Sequence, residues 1–117
     1  MSLERVLLVL ESFGLNHVEA EVYIYLARKG PKPREDIARV MKLPGIRSHQ
    51  VLESLKKKGF IYTSNETFEI FAALNFSEAV DMMIAIKDEE TKIMRETKRE
   101  LLSCWLAINQ RKKQDTT

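Results

Sequence analysis

At 117 residues, 44% hydrophobic and 31% charged, the chain has the makeup of one helix-rich globular domain with at most one appended element. Its single cysteine, Cys104, excludes an intramolecular disulfide and favours a reducing, cytoplasmic setting. Net charge is only +2, yet residues 28–59 hold ten Lys/Arg against three Asp/Glu and residues 60–117 hold eight against ten; a local basic excess of this kind is the footprint of a polyanion partner.

The opening MSLERVLLVLESFG does not read as a signal peptide, because charge interrupts its apolar run and no small-residue cleavage site follows. No apolar run approaches the roughly 20 residues that span a bilayer, so no membrane role is expected. Leu3, Val6, Leu7, Leu10 and Phe13 recur at helical spacing, which predicts a first amphipathic helix over residues 3–13, stopped by Gly14. Asn16 with Glu19 three residues on forms a capping-box pattern for a second helix that Gly30 closes. Pro31 and Pro33 break the chain before a short helix over residues 34–42. Leu43-Pro44-Gly45 makes a turn into another helix over residues 46–58, and Gly59 follows as its terminator. Residues 60–64 and 68–73 are β-branched or aromatic runs joined by Asn65-Glu66-Thr67, which predicts a hairpin.

From Ser77, a candidate cap, the pattern continues without proline or glycine to about residue 113. A heptad seam passes through Val80, Met83, Lys87, Glu90, Met94, Thr97, Leu101, Cys104 and Ile108, of which six are apolar if the cysteine is counted. A helix of that length is too long for a domain of this size to cover, so its stripe calls for a second copy. The seam residues Val80, Met83, Met94, Leu101, Cys104 and Ile108, with Leu3 and Leu7 of the first helix alongside, are the expected homodimer interface. The expected organisation is residues 1–76 as one domain and 77–117 as a long dimerisation helix with a basic tail.

Three helices with a tight turn between the second and third, then a short hairpin, make a winged helix-turn-helix; the fold class is mainly α (α+β). On a helical wheel of residues 46–58, Ser48, Val51, Leu52 and Leu55 share the core side. The rest of the wheel is polar and basic, which suits a helix that projects into a major groove of double-stranded DNA. Residues near the N-terminal end of such a helix reach base edges, which nominates Arg47, His49 and Gln50. Arg34, Arg39, Lys56, Lys57 and Lys58 are nominated for phosphates.

The run GLNHVEAEVYIYLARKG, then EDIARVMKLPGIRSHQVLESLKKKGFI, then a hairpin ending in an aromatic-rich strand resembles the DNA-binding domain of TrmB-type transcriptional regulators, mostly archaeal. The resemblance covers residues 14–76 closely and the long helix loosely. It implies a winged-helix DNA-binding repressor or activator that works as a dimer; two copies facing half-sites about one helical turn apart, or a multiple of that, would read a pseudo-palindromic site. Larger members append a sugar-binding domain, which is not expected within these 117 residues. The expected wing tip, Ser64-Asn65-Glu66-Thr67, carries no cation, and Ser48 and His49 stand where the family often has a small apolar residue and a tyrosine.

Other chemistries find little support. His17, His49 and Cys104 lack metal-ligand spacing, so neither a metal nor a cofactor is expected, and Cys104 reads as a small hydrophobe on the seam. There is no nucleophile elbow, no glycine-rich phosphate loop and no carboxylate pair beyond Asp88-Glu89-Glu90, so no enzyme is expected. The alternative function is a winged-helix protein-interaction module in a transcription or processing assembly. The sequence identifies no effector ligand.

Overall fold

The computed structural model describes residues 2–115, with side chains described over residues 2–111. The chain divides into two compact units, Met1–Val80 and Asp81–Thr117, a boundary four residues beyond the expected one. The first unit is a winged helix, with four helices and a small three-stranded antiparallel sheet.

Helix α1 (Leu3–Ser12) begins on Ser2, whose hydroxyl accepts from the Arg5 amide at 3.0 Å. Helix α2 (His17–Lys29) begins on the predicted capping box: the Asn16 side chain accepts from the Glu19 amide and the Glu19 carboxylate from the Asn16 amide, both at 2.8 Å. It ends at Gly30, whose φ of +89° would strain any side chain. Strand β1 is only Lys32–Pro33, at the sheet edge, where a proline's missing N–H does least harm. A two-residue strand has no period to detect, and the sequence pattern did not predict it. Helix α3 (Arg34–Met41) and helix α4 (Gly45–Lys57) follow, then strands β2 (Ile61–Asn65) and β3 (Ile70–Ala73) in the sheet order β1-β3-β2.

The core gathers on α2, which packs against α1, α4 and β3. Leu10, Val22, Tyr23, Leu26, Ile37, Leu52, Leu55, Phe60 and Phe71 are buried. Tyr23 fixes α2 to the wing twice. Its ring meets Phe60 edge-on at 5.7 Å, and its hydroxyl donates to the Leu74 carbonyl at 2.7 Å. Burial pushes the Tyr23 phenol up to about 12.

Helix α5 (Phe76–Asp115) starts in the first unit and makes up the second, and its 40 residues span about 60 Å. Ser77 is not its cap. The Asn75 side chain accepts from the Ser77 amide at 2.9 Å, because the asparagine sits at the position whose oxygen can reach back to a free helix-end N–H. The side chains of Lys112 and Lys113 in the expected basic tail lie outside the described residues. Among the described residues no helix is long and apolar enough to cross a membrane.

Candidate nucleic-acid interface

The turn between α3 and α4 is built differently from its sequence pattern. Lys42, not a glycine, takes the left-handed conformation at φ +55°, ψ +46°. Its amide and that of Leu43 close onto α3, Leu43 donating to the Ala38 carbonyl at 2.8 Å. Gly45 is the first residue of α4 rather than part of the turn, and Pro44 is the N-cap. A lysine there costs about 1–2 kcal/mol relative to an unstrained backbone, so the sharp corner is held by the packing of α3 on α4. The corner also places an exposed Lys42 beside the start of α4, a cation that sequence reasoning passed over because lysine is no turn signal.

On α4 the predicted wheel holds. Ser48, Val51, Leu52 and Leu55 are buried, and the Ser48 hydroxyl satisfies itself by donating to the Gly45 carbonyl at 2.9 Å. Arg47, His49, Gln50, Glu53, Lys56 and Lys57 are exposed. The helix has only one committed side because only one side meets the core. The three nominated base readers therefore share its first two turns.

The five nominated phosphate cations separate. Lys56 and Lys57 stand out from the last turn of α4. Arg39 is exposed and pairs with Asp36 at 3.2 Å, one turn back on α3. Arg34 is drawn to the wing: its Nε lies 3.3 Å from a Glu69 carboxylate oxygen, and its amide donates to the Glu69 carbonyl at the same distance. Lys58, though part exposed, is engaged within the chain. Its Nζ donates to the Gly14 carbonyl at 2.8 Å and to Glu19 at 2.9 Å. The Glu19 carboxylate is only 3% exposed, and a buried carboxylate left without its cation would be strongly destabilising. Burial alone would push the Glu19 carboxyl up. The Ser54 hydroxyl, the Asn16 amide and the Lys58 ammonium outweigh it and hold the group below its usual value.

The hairpin tip carries no cation. Thr63 and Asn65 flank a bulge in β2, and Glu69 adopts φ +48°. Phe68, expected within the second strand, lies instead in the turn and is exposed, because the bulge and the left-handed Glu69 shift β3 to start at Ile70.

The nominated interface residues also divide. Met94 (61% exposed), Leu101, Cys104 and Ile108 are all exposed on α5, with Ile93 and Trp105 beside them. On α1, Leu3 is exposed and Leu7 half-buried; Val80 is also half-buried. Met83 is 2% exposed in the single chain. His49 is exposed on α4, Cys104 is exposed on α5, and His17 sits between Glu11 (Nδ1, 3.1 Å) and Glu21 (Nε2, 2.6 Å).

Comparison with known proteins places this geometry. A family model described as the sugar-specific transcriptional regulator TrmB matches residues 10–77. The chain is 33% identical over 72 residues to the HTH-type sugar sensing transcriptional regulator TrmBL1 of Pyrococcus furiosus, covering 62% of this chain and 21% of that protein. It is 31% identical over 100 residues to the putative HTH-type transcriptional regulator TrmBL2 of the same organism, covering 85% and 38%. A solved structure of TrmBL2, described as an archaeal chromatin protein with a novel mode of DNA binding, superposes with a TM-score of 0.77 at 28% identity, over 92% of this chain and 42% of that one. MepR, a transcription regulator of the Staphylococcus aureus multidrug efflux pump MepA, shares the fold at a TM-score of 0.50 and 19% identity, over 86% and 87% of the two chains. The chain spans well under half the length of its two Pyrococcus relatives.

Proposed function

The chain belongs to the TrmB family of transcriptional regulators, and on that premise we propose that it regulates transcription by binding double-stranded DNA as a homodimer, with α4 entering the major groove. The observation that carries the proposal is the division of α4 into one narrow buried side and a broad exposed one that is mostly polar and basic, with Ile46 and Glu53 as its exceptions. Arg47 donates two hydrogen bonds to a guanine, and Gln50 pairs with an adenine, while His49 reads from the flank. Lys56, Lys57 and Arg39 contact phosphates, and Arg34 stiffens the wing base through Glu69. The exposed seam of α5 pairs with its copy, so two α4 helices face half-sites about one helical turn apart, or a multiple of that, in a pseudo-palindrome. A cytoplasmic setting belongs to the same proposal.

Binding of Arg47→Ala and Lys57→Ala to a selected duplex and to scrambled DNA, over a salt series, tests it. Arg47→Ala is expected to lose roughly 1–3 kcal/mol on the selected site and to relax preference at one base pair. Lys57→Ala is expected to weaken all sequences alike and to lower the salt slope by about one. A second reading, docking to a protein partner, draws on exposed Glu53 in the middle of α4 and on the cation-free wing tip. That reading takes over if neither substitution alters binding and no salt dependence is seen.

A further inference from the structure

Helical geometry turns each residue of α4 by about 100°, so the row i, i+4, i+7, i+11 lies along one side. Opposite the buried row of Ser48, Val51, Leu52 and Leu55 runs the row Ile46, Gln50, Glu53, Lys57. This outermost ridge, polar or charged at its other three positions, begins with a β-branched hydrocarbon. Ile46 is 78% exposed, the most exposed large apolar side chain among the described residues. No packing within the chain accounts for it. Gly45 ahead of it adds no side chain, and a Cβ there would meet nothing within 4 Å, so the approach to Ile46 is open. Single exposed aliphatics are common on protein surfaces and by themselves mean little. The position decides here, because the first turn of α4 is also where Arg47 and Gln50 reach for bases.

A major groove offers hydrogen-bonding atoms at every base pair and one apolar group, the C5-methyl of thymine. We propose that Ile46 reads a thymine methyl in each half-site, giving the regulator a preference for T·A at one position that its polar side chains do not supply. The contact deepens, and rests on, the role of α4 in DNA binding proposed above. It also gives Ile46 a function separate from Arg47: the arginine selects by hydrogen bonding and the isoleucine by excluding water from a methyl group.

Deoxyuridine differs from thymidine only by that methyl, which makes the test direct. Duplexes selected from a random pool by the wild-type protein are resynthesised with each thymine replaced singly by uracil. One replacement per half-site is expected to weaken wild-type binding roughly fourfold, the equivalent of about 0.8 kcal/mol for one buried CH2-sized group at 1.4 kcal/mol per tenfold. Ile46→Ala is expected to bind the thymine and uracil duplexes equally while keeping the salt slope of the wild type. Ile46→Val, which retains part of the hydrocarbon, should keep part of the discrimination. The proposal is overturned if no thymine is enriched in the half-site, if uracil is tolerated at every thymine, or if Ile46→Ala discriminates as the wild type does. In each case salt-dependent binding that still responds to Lys57→Ala leaves the DNA-binding reading standing. Absence of salt-dependent binding overturns both.

Discussion

Lys58 bonds to Glu19 and to the Gly14 carbonyl, and its replacement by methionine has a calculable result. The substitution keeps most of the hydrocarbon stem and removes the ammonium, leaving the buried Glu19 carboxylate with the Ser54 hydroxyl and the Asn16 amide. Removing one partner of a fully buried pair costs about 3–5 kcal/mol. The Lys58 side chain is 36% exposed and Glu19 keeps two other partners, so the larger part of that range does not apply. A loss of about 2 kcal/mol is expected, including the bond to the Gly14 carbonyl. With a urea slope of about 1.5 kcal/mol per molar, the midpoint falls by roughly 1.3 M at fixed protein concentration. The pH dependence has a definite sign. The folded Glu19 carboxyl is depressed, so its contribution is present above the unfolded value near 4.5 and is lost as pH falls through the folded value. Without Lys58 the folded value rises, and the acid loss begins at a higher pH. Double substitution with Glu19→Gln should recover part of the loss, since the uncompensated charge is gone. The salt slope for random duplex should stay at the wild-type value. An unchanged urea midpoint together with a slope lowered by about one would refute the inward assignment and return Lys58 to the phosphates.

Lysine at Met94 and Leu101 together should place uncompensated charge in the proposed seam, and a dimer that persists in sedimentation would rule that seam out. Lys42→Gly should relieve the left-handed backbone and, net of glycine's extra chain entropy, stabilise by about 0.5–1 kcal/mol, a rise of roughly 2–6 °C in melting temperature; Lys42→Ala should not. The imidazole of His17 should titrate above 6.5 by NMR, raised by its hydrogen bond to Glu11 and by the charge of Glu21. That tie between α1 and α2 is present below about 6.5 and lost as pH rises through the folded value, and Glu11→Gln should lower the midpoint.

How far the sequence specifies each element follows the range of the interactions that form it. Elements set by local rules were legible: the α2 capping box, the buried side of α4, and Gly59 at φ +88° just past the end of that helix. What was missed depends on partners far along the chain or on backbone strain. The Lys58–Glu19 pair joins residues 39 positions apart, and no composition or periodicity marks which of three consecutive lysines turns inward. β1 exists only because β3 passes beside it, Lys32 facing Phe71. Asn75 and Ser77 are both capping residues two positions apart, and only the backbone decides which of them caps α5. The same limit bears on the candidate interface. A wheel says which residues face away from a core, as Arg47, His49 and Gln50 do; it does not say which outward residues are already occupied. Arg34 and Lys58 are held by Glu69 and Glu19, whereas Lys56 and Lys57, on the same helix as the proposed base readers, stand exposed. The phosphate contacts are therefore expected to concentrate at the C-terminal end of α4 and the base contacts at its start, with Glu53 between them. An acid at that midpoint repels phosphate and accepts from a cytosine amine, so it favours one docking register of the helix over its neighbours.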